Sequence, residues 1–273
     1  MLITTYAQLQ EIAQTFAAGS LTRVVVCGSP GIGKTTAFES SLVHPFVVIR
    51  GHCAPSVLYE ELYRGRNLPV VIDDAETMLR DKSAREIVRD LMDTTAGGQV
   101  SWRTRNQAFA KLGLPKSFAT TSPCCVLTNR IGTGPVWDAI LSRAAVFQFE
   151  PDWDEVLNNM AGWFKDAEIL DFSRSVQDHL GTPDARQLIK AKQIKDAGLA
   201  HFSWKDCLFS DPSAVGQPSH SVSLAEEVVQ DLLKNPTLSS GQRVQEFQVG
   251  RGLAEPLPAE SIGAACPFIS IAS

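Results

Sequence analysis

The sequence of 273 residues has few cysteines, no long apolar run and no basic leader. Its six cysteines include no Cys-x-x-Cys pair, which disfavours both a disulfide framework and a zinc site. No apolar stretch approaches the ~18 residues that a membrane-spanning helix needs. The first residues contain no basic segment ahead of an apolar one, so we expect no secretory signal. These absences favour a reduced, cytoplasmic protein without a membrane contact.

An excess of positive charge is also missing, since 25 Lys and Arg stand against 30 Asp and Glu, a net charge of −5. Any contact with nucleic acid would therefore depend on a local patch rather than on the field of the whole molecule. With 44% apolar and 20% charged residues, the composition excludes a disordered chain, a collagen-like chain and a coiled coil.

Up to about residue 151, short apolar runs alternate with helix-like stretches. The runs have strand length and are mostly rich in Val or Ile: Leu21–Cys27, Phe46–Ile49, Leu68–Ile72, Cys124–Leu127 and Ala144–Phe149. Continuous apolar strands separated by helices are typical of a parallel sheet covered on both faces. We predict an α/β fold with a five-stranded parallel αβα sheet. A capping box of Ser83 and Glu86 predicts the start of a helix over residues 83–95.

After residue 151 the apolar period becomes helical. Residues 152–210 are predicted to form a small all-helical lid domain that follows the 1–151 core. Thr182 as N-cap and Pro183 at the first helical position predict the start of one of its helices. Residues 211–273 are predicted to be a Ser/Pro/Gly-rich linker and a short extension, helical or partly disordered.

A complete G-x-x-x-x-G-K-[ST] motif follows the first predicted strand and opens a predicted helix. Glycines in such a loop let successive backbone N–H groups face phosphate oxygens. Lys34 is placed to neutralise the β- and γ-phosphates, and the Thr35 hydroxyl to ligate Mg²⁺. We therefore predict that the chain binds ATP with Mg²⁺. The residues assigned to nucleotide binding are Gly28, Ser29, Pro30, Gly31, Ile32, Gly33, Lys34, Thr35 and Thr36.

A later apolar strand ends in two carboxylates, Asp73 and Asp74. In a P-loop enzyme such a strand places its first carboxylate near the magnesium ion, so we assign Asp73 to the metal. Asp74 is then the candidate that polarises the attacking water. Glu76 lies two residues further on and is a competing base.

Together these motifs resemble the AAA+ ATPase family over about residues 20–200. Cys125–Asn129 is similar to that family's sensor 1 strand, whose final polar residue orients the hydrolytic water. Leu141–Ala144 is similar to the Ser-Arg-Cys segment of clamp-loader members. The resemblance implies that Asn129 is the sensor and that Arg143 reaches into the nucleotide site of a neighbouring subunit, so that the protein forms a homo-oligomer.

Residues 183–188 are similar to the sensor 2 helix of the same family's lid. The resemblance implies that Arg186 contacts the γ-phosphate, with the nucleotide between core and lid. Asp74 departs from the family, which most often has Glu at this position, and no aromatic pore loop follows the second strand. A protein-threading unfoldase is therefore disfavoured.

The expected function is an ATP-hydrolysing oligomeric AAA+ switch in DNA replication or DNA remodelling, acting with an unidentified protein partner. One alternative is a nucleotide-gated adaptor or loader with little or no hydrolysis, which Asp74 favours. A second alternative is a small-molecule P-loop kinase. The helical domain is poor in arginine for a kinase lid, having only Arg174 and Arg186.

Residues 94–137 contain no Asp or Glu. A strand-like stretch over 99–103 begins an insertion in which basic residues lie beside aromatic ones, a combination that can hold phosphates and stack on bases. We predict a hairpin there that contacts DNA through Trp102, Arg103, Arg105 and Lys111. The alternative is a surface hairpin whose aromatic side chains, among them Phe118, pack inward.

Overall fold

The computed structural model describes residues 1–43, 45–51, 53–93, 98–102, 113–199 and 201–209. Its chain divides into two compact units, residues 1–156 and 157–273. The extension predicted over 211–273 lies outside the described residues. No helix in the described part of the chain is both long enough and apolar enough to cross a membrane.

In its described residues, the first unit is built on a parallel sheet of six strands in the order β1-β8-β2-β7-β4-β3, with a separate antiparallel pair, β5 and β6. The strands are β1 (Leu2–Ile3), β2 (Arg23–Gly28), β3 (Val47–Arg50), β4 (Val70–Asp73), β5 (Gln99–Ser101), β6 (Ser117–Ala119), β7 (Cys124–Thr128) and β8 (Ala145–Phe149). All five predicted runs form strands of the large sheet, and its parallel α/β character is confirmed.

The prediction of five strands was wrong by one. The additional strand, β1, contributes two residues, which pair with Gln148 and Phe149 of β8. A strand of two residues is too short to produce a periodic apolar pattern, and only its partner identifies it.

The helix predicted over 83–95 spans residues 82–91, so it ends four residues earlier than predicted. Helices connect the strands of the first unit and form the second. They are α1 (Tyr6–Ala17), α2 (Lys34–Ser40), α3 (Pro55–Arg64), α4 (Ala75–Met78), α5 (Lys82–Leu91), α6 (Pro135–Leu141), α7 (Trp153–Ala161), α8 (Ala167–Val176), α9 (Ala185–Ala197) and α10 (Asp206–Phe209). Asp81, rather than Ser83, caps α5, because its carboxylate accepts a hydrogen bond of 2.9 Å from the Ala84 amide. Asp184, rather than Thr182, caps α9 in the same way.

Strand order decides where the polar residues of the first unit meet. Strand β7 pairs with β2 on one side and with β4 on the other. It is buried along its whole length, as an interior strand covered on both faces must be. Because all three strands are parallel, the residues that follow Gly28, Asp73 and Thr128 lie at one edge of the sheet.

The second unit is helical in its described residues. Buried apolar side chains on α8 and α9 include Ile169, Val176 and Leu188. Phe164 is buried before α8 begins, whereas the neighbouring Trp163 is 54% exposed. Asp166 caps α8 and accepts a hydrogen bond of 2.8 Å from Lys195 on α9. Burial opposes ionisation of Asp166, but the bonds from Lys195 and the Ile169 amide, together with the charges of Lys195 and Lys192, lower the pKa of this carboxyl. This pair joins α8 to α9.

Candidate functional site

The loop between β2 and α2 has the backbone that the glycine-rich motif requires. Gly31 and Gly33 have φ values of 79° and 74°, which glycine adopts without the penalty that a side chain imposes. Ser29 is half-buried and Pro30 exposed, so the outer side of the loop is open to solvent. The motif thus occupies the strand–loop–helix setting that a phosphate-binding loop requires.

Lys34 lies at the first position of α2 and is only 6% exposed. Its ammonium group donates hydrogen bonds to the carbonyl oxygens of Gly28 at 2.7 Å and Ser29 at 2.8 Å, and to Asn129 Oδ1 at 2.9 Å. Burial lowers the pKa of Lys34 to about 8, although nearby acidic groups, Asp73 among them, oppose the shift. The charge that phosphates need is therefore held at the loop in a partly desolvated setting.

Thr35 and Asp73 meet across the gap between α2 and β4. The Thr35 hydroxyl lies 3.0 Å from Asp73 Oδ1 and 3.1 Å from Oδ2, so it can donate to either carboxylate oxygen. Burial raises the pKa of Asp73, and the charge of Asp74 adds to this, while the Thr35 hydroxyl opposes it. A hydroxyl and a carboxylate are the hard oxygen ligands that Mg²⁺ prefers when phosphates and water complete its shell. The residues therefore fit the predicted ion.

No cluster of three or more His, Cys, Asp or Glu side chains suited to a metal occurs among the described residues. Thr35 and Asp73 would thus hold the ion together with the phosphates of a bound nucleotide. This division of ligands is usual for Mg²⁺, which is rarely held by a dedicated all-protein cage.

Asp74 and Asn129 face each other at the same edge. Asn129 Nδ2 donates to Asp74 Oδ1 at 3.2 Å, while its Oδ1 accepts from Lys34. Asp74 is exposed and has a φ of 53°, a left-handed conformation that is uncommon for a residue with a side chain. Its backbone amide donates to Asp73 Oδ1 at 3.1 Å. Asn129 therefore connects Lys34 with the candidate catalytic acid.

Glu76 was named from the sequence as a competing base, and the structure gives it a set of backbone contacts. Its Oε1 accepts hydrogen bonds from the amides of Asn129 at 2.8 Å and Arg130 at 3.1 Å. The Thr128 hydroxyl lies 2.6 Å from the same oxygen. Glu76 thus holds the end of β7.

Tyr6 is a member of the site that sequence analysis missed. Its hydroxyl donates a hydrogen bond of 2.6 Å to the carbonyl oxygen of Ile32 in the loop. Its ring is buried and meets Phe149 edge to face at 5.3 Å. Its backbone amide donates to Glu155 Oε1 at 2.7 Å. A tyrosine at the start of an amphipathic helix carries no signal of this contact, which depends on where α1 packs.

Other predicted site residues are exposed or have contacts of their own. Thr36 is exposed on α2. Arg143 follows α6, where its guanidinium donates a hydrogen bond of 2.7 Å to the Ala139 carbonyl oxygen. Arg186 is exposed at the second position of α9, in the second unit. The trans role of Arg143 and the lid role of Arg186 stay predictions.

The predicted DNA hairpin is described only at its base, since Arg103, Arg105 and Lys111 lie outside the described residues. Strands β5 and β6 pair as expected, with Val100 opposite Phe118. The Phe118 ring is 7% exposed and lies 5.2 Å from the Tyr59 ring, measured between centroids, and Trp102 lies 6.0 Å from Tyr59. Both aromatic side chains therefore pack toward the body of the unit.

Comparison with known proteins adds little to this geometry. No protein-family model matches the chain, and no curated protein matches it. Among solved structures it is similar to NtrX from Brucella abortus in complex with ADP, at 12% identity and a TM-score of 0.42. The same protein in complex with ATP matches at 13% identity and a TM-score of 0.48. Each match covers 89% of this chain and 59% of NtrX.

Proposed function

We propose that this protein is an ATP-hydrolysing oligomeric switch of the AAA+ type, with an arginine segment like that of clamp-loader members. One observation carries the proposal: Lys34, the Thr35–Asp73 pair and the Asn129–Asp74 pair converge at the ends of three adjacent strands. These are the charge-neutralising, metal-binding and water-orienting groups that phosphoryl transfer to water requires.

Each side chain has a separate task in this chemistry. Lys34 exchanges its carbonyl partners for phosphate oxygens and balances the charge that moves onto them. Thr35 and Asp73 would hold Mg²⁺, which supplies further charge neutralisation at the phosphates. Asp74 accepts a proton from the attacking water, and Asn129 holds that carboxylate and the water in line.

Arg143 is proposed to complete the site of the next subunit. An arginine supplied in trans stabilises transition-state charge and contributes about 10³–10⁵-fold to the rate in enzymes that use one. To do so, Arg143 would exchange its bond to the Ala139 carbonyl for a phosphate oxygen of the neighbour. Hydrolysis would then depend on assembly, and assembly on nucleotide.

Subunit mixing tests the proposal directly. Steady-state ATP hydrolysis is measured for Lys34→Ala, for Arg143→Ala and for their equimolar mixture. Each variant alone should be inactive, whereas the mixture contains interfaces with an intact loop from one variant and an intact arginine from the other. Random head-to-tail assembly makes about a quarter of the interfaces productive. A mixture no more active than its components would contradict the proposal that Arg143 acts in trans. The matched control is Arg80→Ala, which removes an exposed arginine.

The second candidate function is a nucleotide-gated adaptor that hydrolyses ATP slowly or not at all. Asp74 favours the adaptor, because its side chain is exposed and is shorter than the Glu that AAA+ members most often have at this position. A general base works best at a fixed distance from its water. The Asp74→Asn variant separates the two candidate functions. If the protein is an ATPase, the variant should lose turnover and keep ATP binding. If it is an adaptor, the variant should keep both the parent's rate of hydrolysis and its ATP binding. Asp74→Glu should retain or raise the turnover of an ATPase.

A role at DNA, in replication or remodelling, is the remaining part of the proposal. Since Trp102 and Phe118 pack inward, the contact would depend on Arg103, Arg105 and Lys111 rather than on stacking. Replacing Arg103 and Arg105 by Ala should lower the affinity for DNA. It should also reduce the slope of log K for DNA binding against log salt concentration by the amount expected for about two phosphate contacts. Unchanged DNA affinity in this double variant would end the proposal, and Lys116→Ala is the control at the base of the hairpin.

A further inference from the structure

We propose that Glu76 is a positioning residue that sets the Asn129 side chain between Lys34 and Asp74, rather than a second general base. The inference rests on the proposed ATPase function. It assigns to Glu76 a task within the site, holding the turn after β7 so that Asn129 reaches both partners.

The geometry places one carboxylate oxygen against three groups of consecutive residues. Glu76 Oε1 is 2.8 Å from the amide nitrogen of Asn129, 3.1 Å from that of Arg130 and 2.6 Å from the Thr128 hydroxyl oxygen. The hydroxyl also lies 2.7 Å from the Arg130 carbonyl oxygen, and its single proton serves one acceptor at a time. An oxygen that already accepts from two backbone amides has little capacity left for a water proton.

Glu76 reaches these groups because of the sheet. It lies in the first turn of α4, directly after β4, and β4 is paired with β7. The strand that ends in Asp73 is thus linked to the strand that ends in Thr128 by a side chain as well as by the backbone hydrogen bonds of the sheet. Bonds between an ionised carboxylate and backbone amides are stronger than neutral ones, so this link is stiff.

The contacts continue from the backbone of Asn129 to its side chain. Its amide nitrogen is held by Glu76, its Oδ1 accepts from Lys34 and its Nδ2 donates to Asp74. An asparagine side chain has two χ angles, and with its backbone fixed only a small set of positions reaches both partners. Without the Glu76 acceptor, the Asn129 amide would lose this bond and the Arg130 amide would keep its longer contact of 3.3 Å with the Thr128 hydroxyl oxygen, so the turn could relax toward water.

Conservative and non-conservative variants distinguish a positioning residue from a base. Gln keeps an Oε1 acceptor for the two amides but cannot take up a proton, whereas Ala removes both functions. ATP hydrolysis and nucleotide affinity are measured for Glu76→Ala, Glu76→Gln and Asp74→Asn. Amide hydrogen exchange at Asn129 and Arg130 is followed in parallel. Glu86→Ala, an exposed carboxylate on α5, is the matched control.

If Glu76 is a positioning residue, Glu76→Ala should lower the turnover of ATP by about 10–100-fold. This is the effect of losing contacts worth roughly 1–3 kcal/mol. Glu76→Gln should stay within about threefold of the parent, well under one order of magnitude in rate. Exchange at the Asn129 and Arg130 amides should accelerate in Glu76→Ala and remain slow in Glu76→Gln. Nucleotide affinity should change little in either variant.

Two outcomes would overturn the inference. If Glu76→Gln is as inactive as Asp74→Asn, Glu76 acts by proton transfer. If exchange at Asn129 and Arg130 is unchanged in Glu76→Ala, the carboxylate does not hold this turn. The exchange measurement needs no turnover, so it tests Glu76 even if the parent protein proves not to hydrolyse ATP, which would be a failure of the proposed function alone.

Discussion

The Tyr6 hydroxyl donates a hydrogen bond to the Ile32 carbonyl oxygen and so ties the first helix to the phosphate-binding loop. The 2.6 Å bond is buried, and the Tyr6 amide is bonded in turn to Glu155. The loop is therefore held from the side of α1 as well as by its own strand and helix.

Tyr6→Phe should weaken nucleotide binding while the ring keeps its contact with Phe149. Loss of the buried bond is expected to lower the free energy of unfolding by about 1 kcal/mol and to leave the Ile32 carbonyl without this donor. Chemical denaturation and ATP titration measure the two effects. Tyr63→Phe, on α3, is a control of the same chemistry, and equal ATP affinity in both variants would contradict a role of Tyr6 in shaping the loop.

Binding of ATP should take up a proton above about pH 8. The pKa of Lys34 lies at about 8 in the free protein, so the ammonium group is increasingly neutral above that pH. Phosphates favour the charged form and raise the pKa again. Affinity should fall by up to about tenfold per pH unit above this point. Titration calorimetry in buffers of different ionisation enthalpy measures how many protons are taken up when ATP binds. Lys34→Arg, whose charge persists throughout the range, should lose this pH dependence even if it binds more weakly.

Removal of the Thr35 hydroxyl should abolish the contribution of Mg²⁺ to nucleotide binding. Thr35→Ala is expected to bind ATP in the presence of Mg²⁺ no more tightly than the parent protein does with a chelator present. Thr35→Ser keeps the oxygen ligand and should retain the dependence on Mg²⁺. Titrations with and without the ion check this, and a full response to Mg²⁺ in Thr35→Ala would remove this residue from the metal site.

Gly28→Ala should destabilise the first unit. A Cβ at this position would lie 2.4 Å from the Phe149 carbonyl oxygen, and this oxygen belongs to the backbone of the paired strand β8. Relief would require the two strands to separate, at a cost of about 1–3 kcal/mol. Thermal unfolding measures the loss. Gly162→Ala is the control, since its Cβ would have an ordinary contact of 3.7 Å with Asn159, and equal stability of the two variants would contradict the close approach.

Phe118→Ala should destabilise the first unit by about 3–5 kcal/mol, as expected for truncation of a buried aromatic side chain. The ring is 7% exposed and packs against Tyr59 and Tyr63. Lys116→Ala, exposed on the same segment, should have almost no effect. If Phe118→Ala proves as stable as the control, the aromatic base of the hairpin does not pack inward in solution.

Much of the fold was predictable because its signals are local. Runs of Val and Ile such as Val24–Val26 indicated buried strands, and Gly28, Gly33 and Lys34 identified the loop within that pattern. These features follow from which residues are apolar and which can adopt a positive φ, and neighbouring residues suffice to determine both.

The predictions that failed depended on a distant strand partner in one case and on competing local caps in another. β1 is a strand only because β8 lies beside it, and Asp81 caps α5 in place of Ser83 because two competing caps cannot be ranked from composition. Tyr6 gave no local signal at all, and Glu76 was recognised only as a competing base. Their contacts were not predictable, since they join residues 26 and 53 positions apart, respectively.

The sequence by itself determined that this chain folds around a parallel sheet and carries a loop suited to phosphate. Tertiary structure alone decided how the polar residues meet. Strand β7 is inserted between β2 and β4, and for this reason Asn129 lies within hydrogen-bond distance of both Lys34 and Asp74. A side chain can bridge two others only when the strands that support them are neighbours, and strand order is a property of the whole packed core.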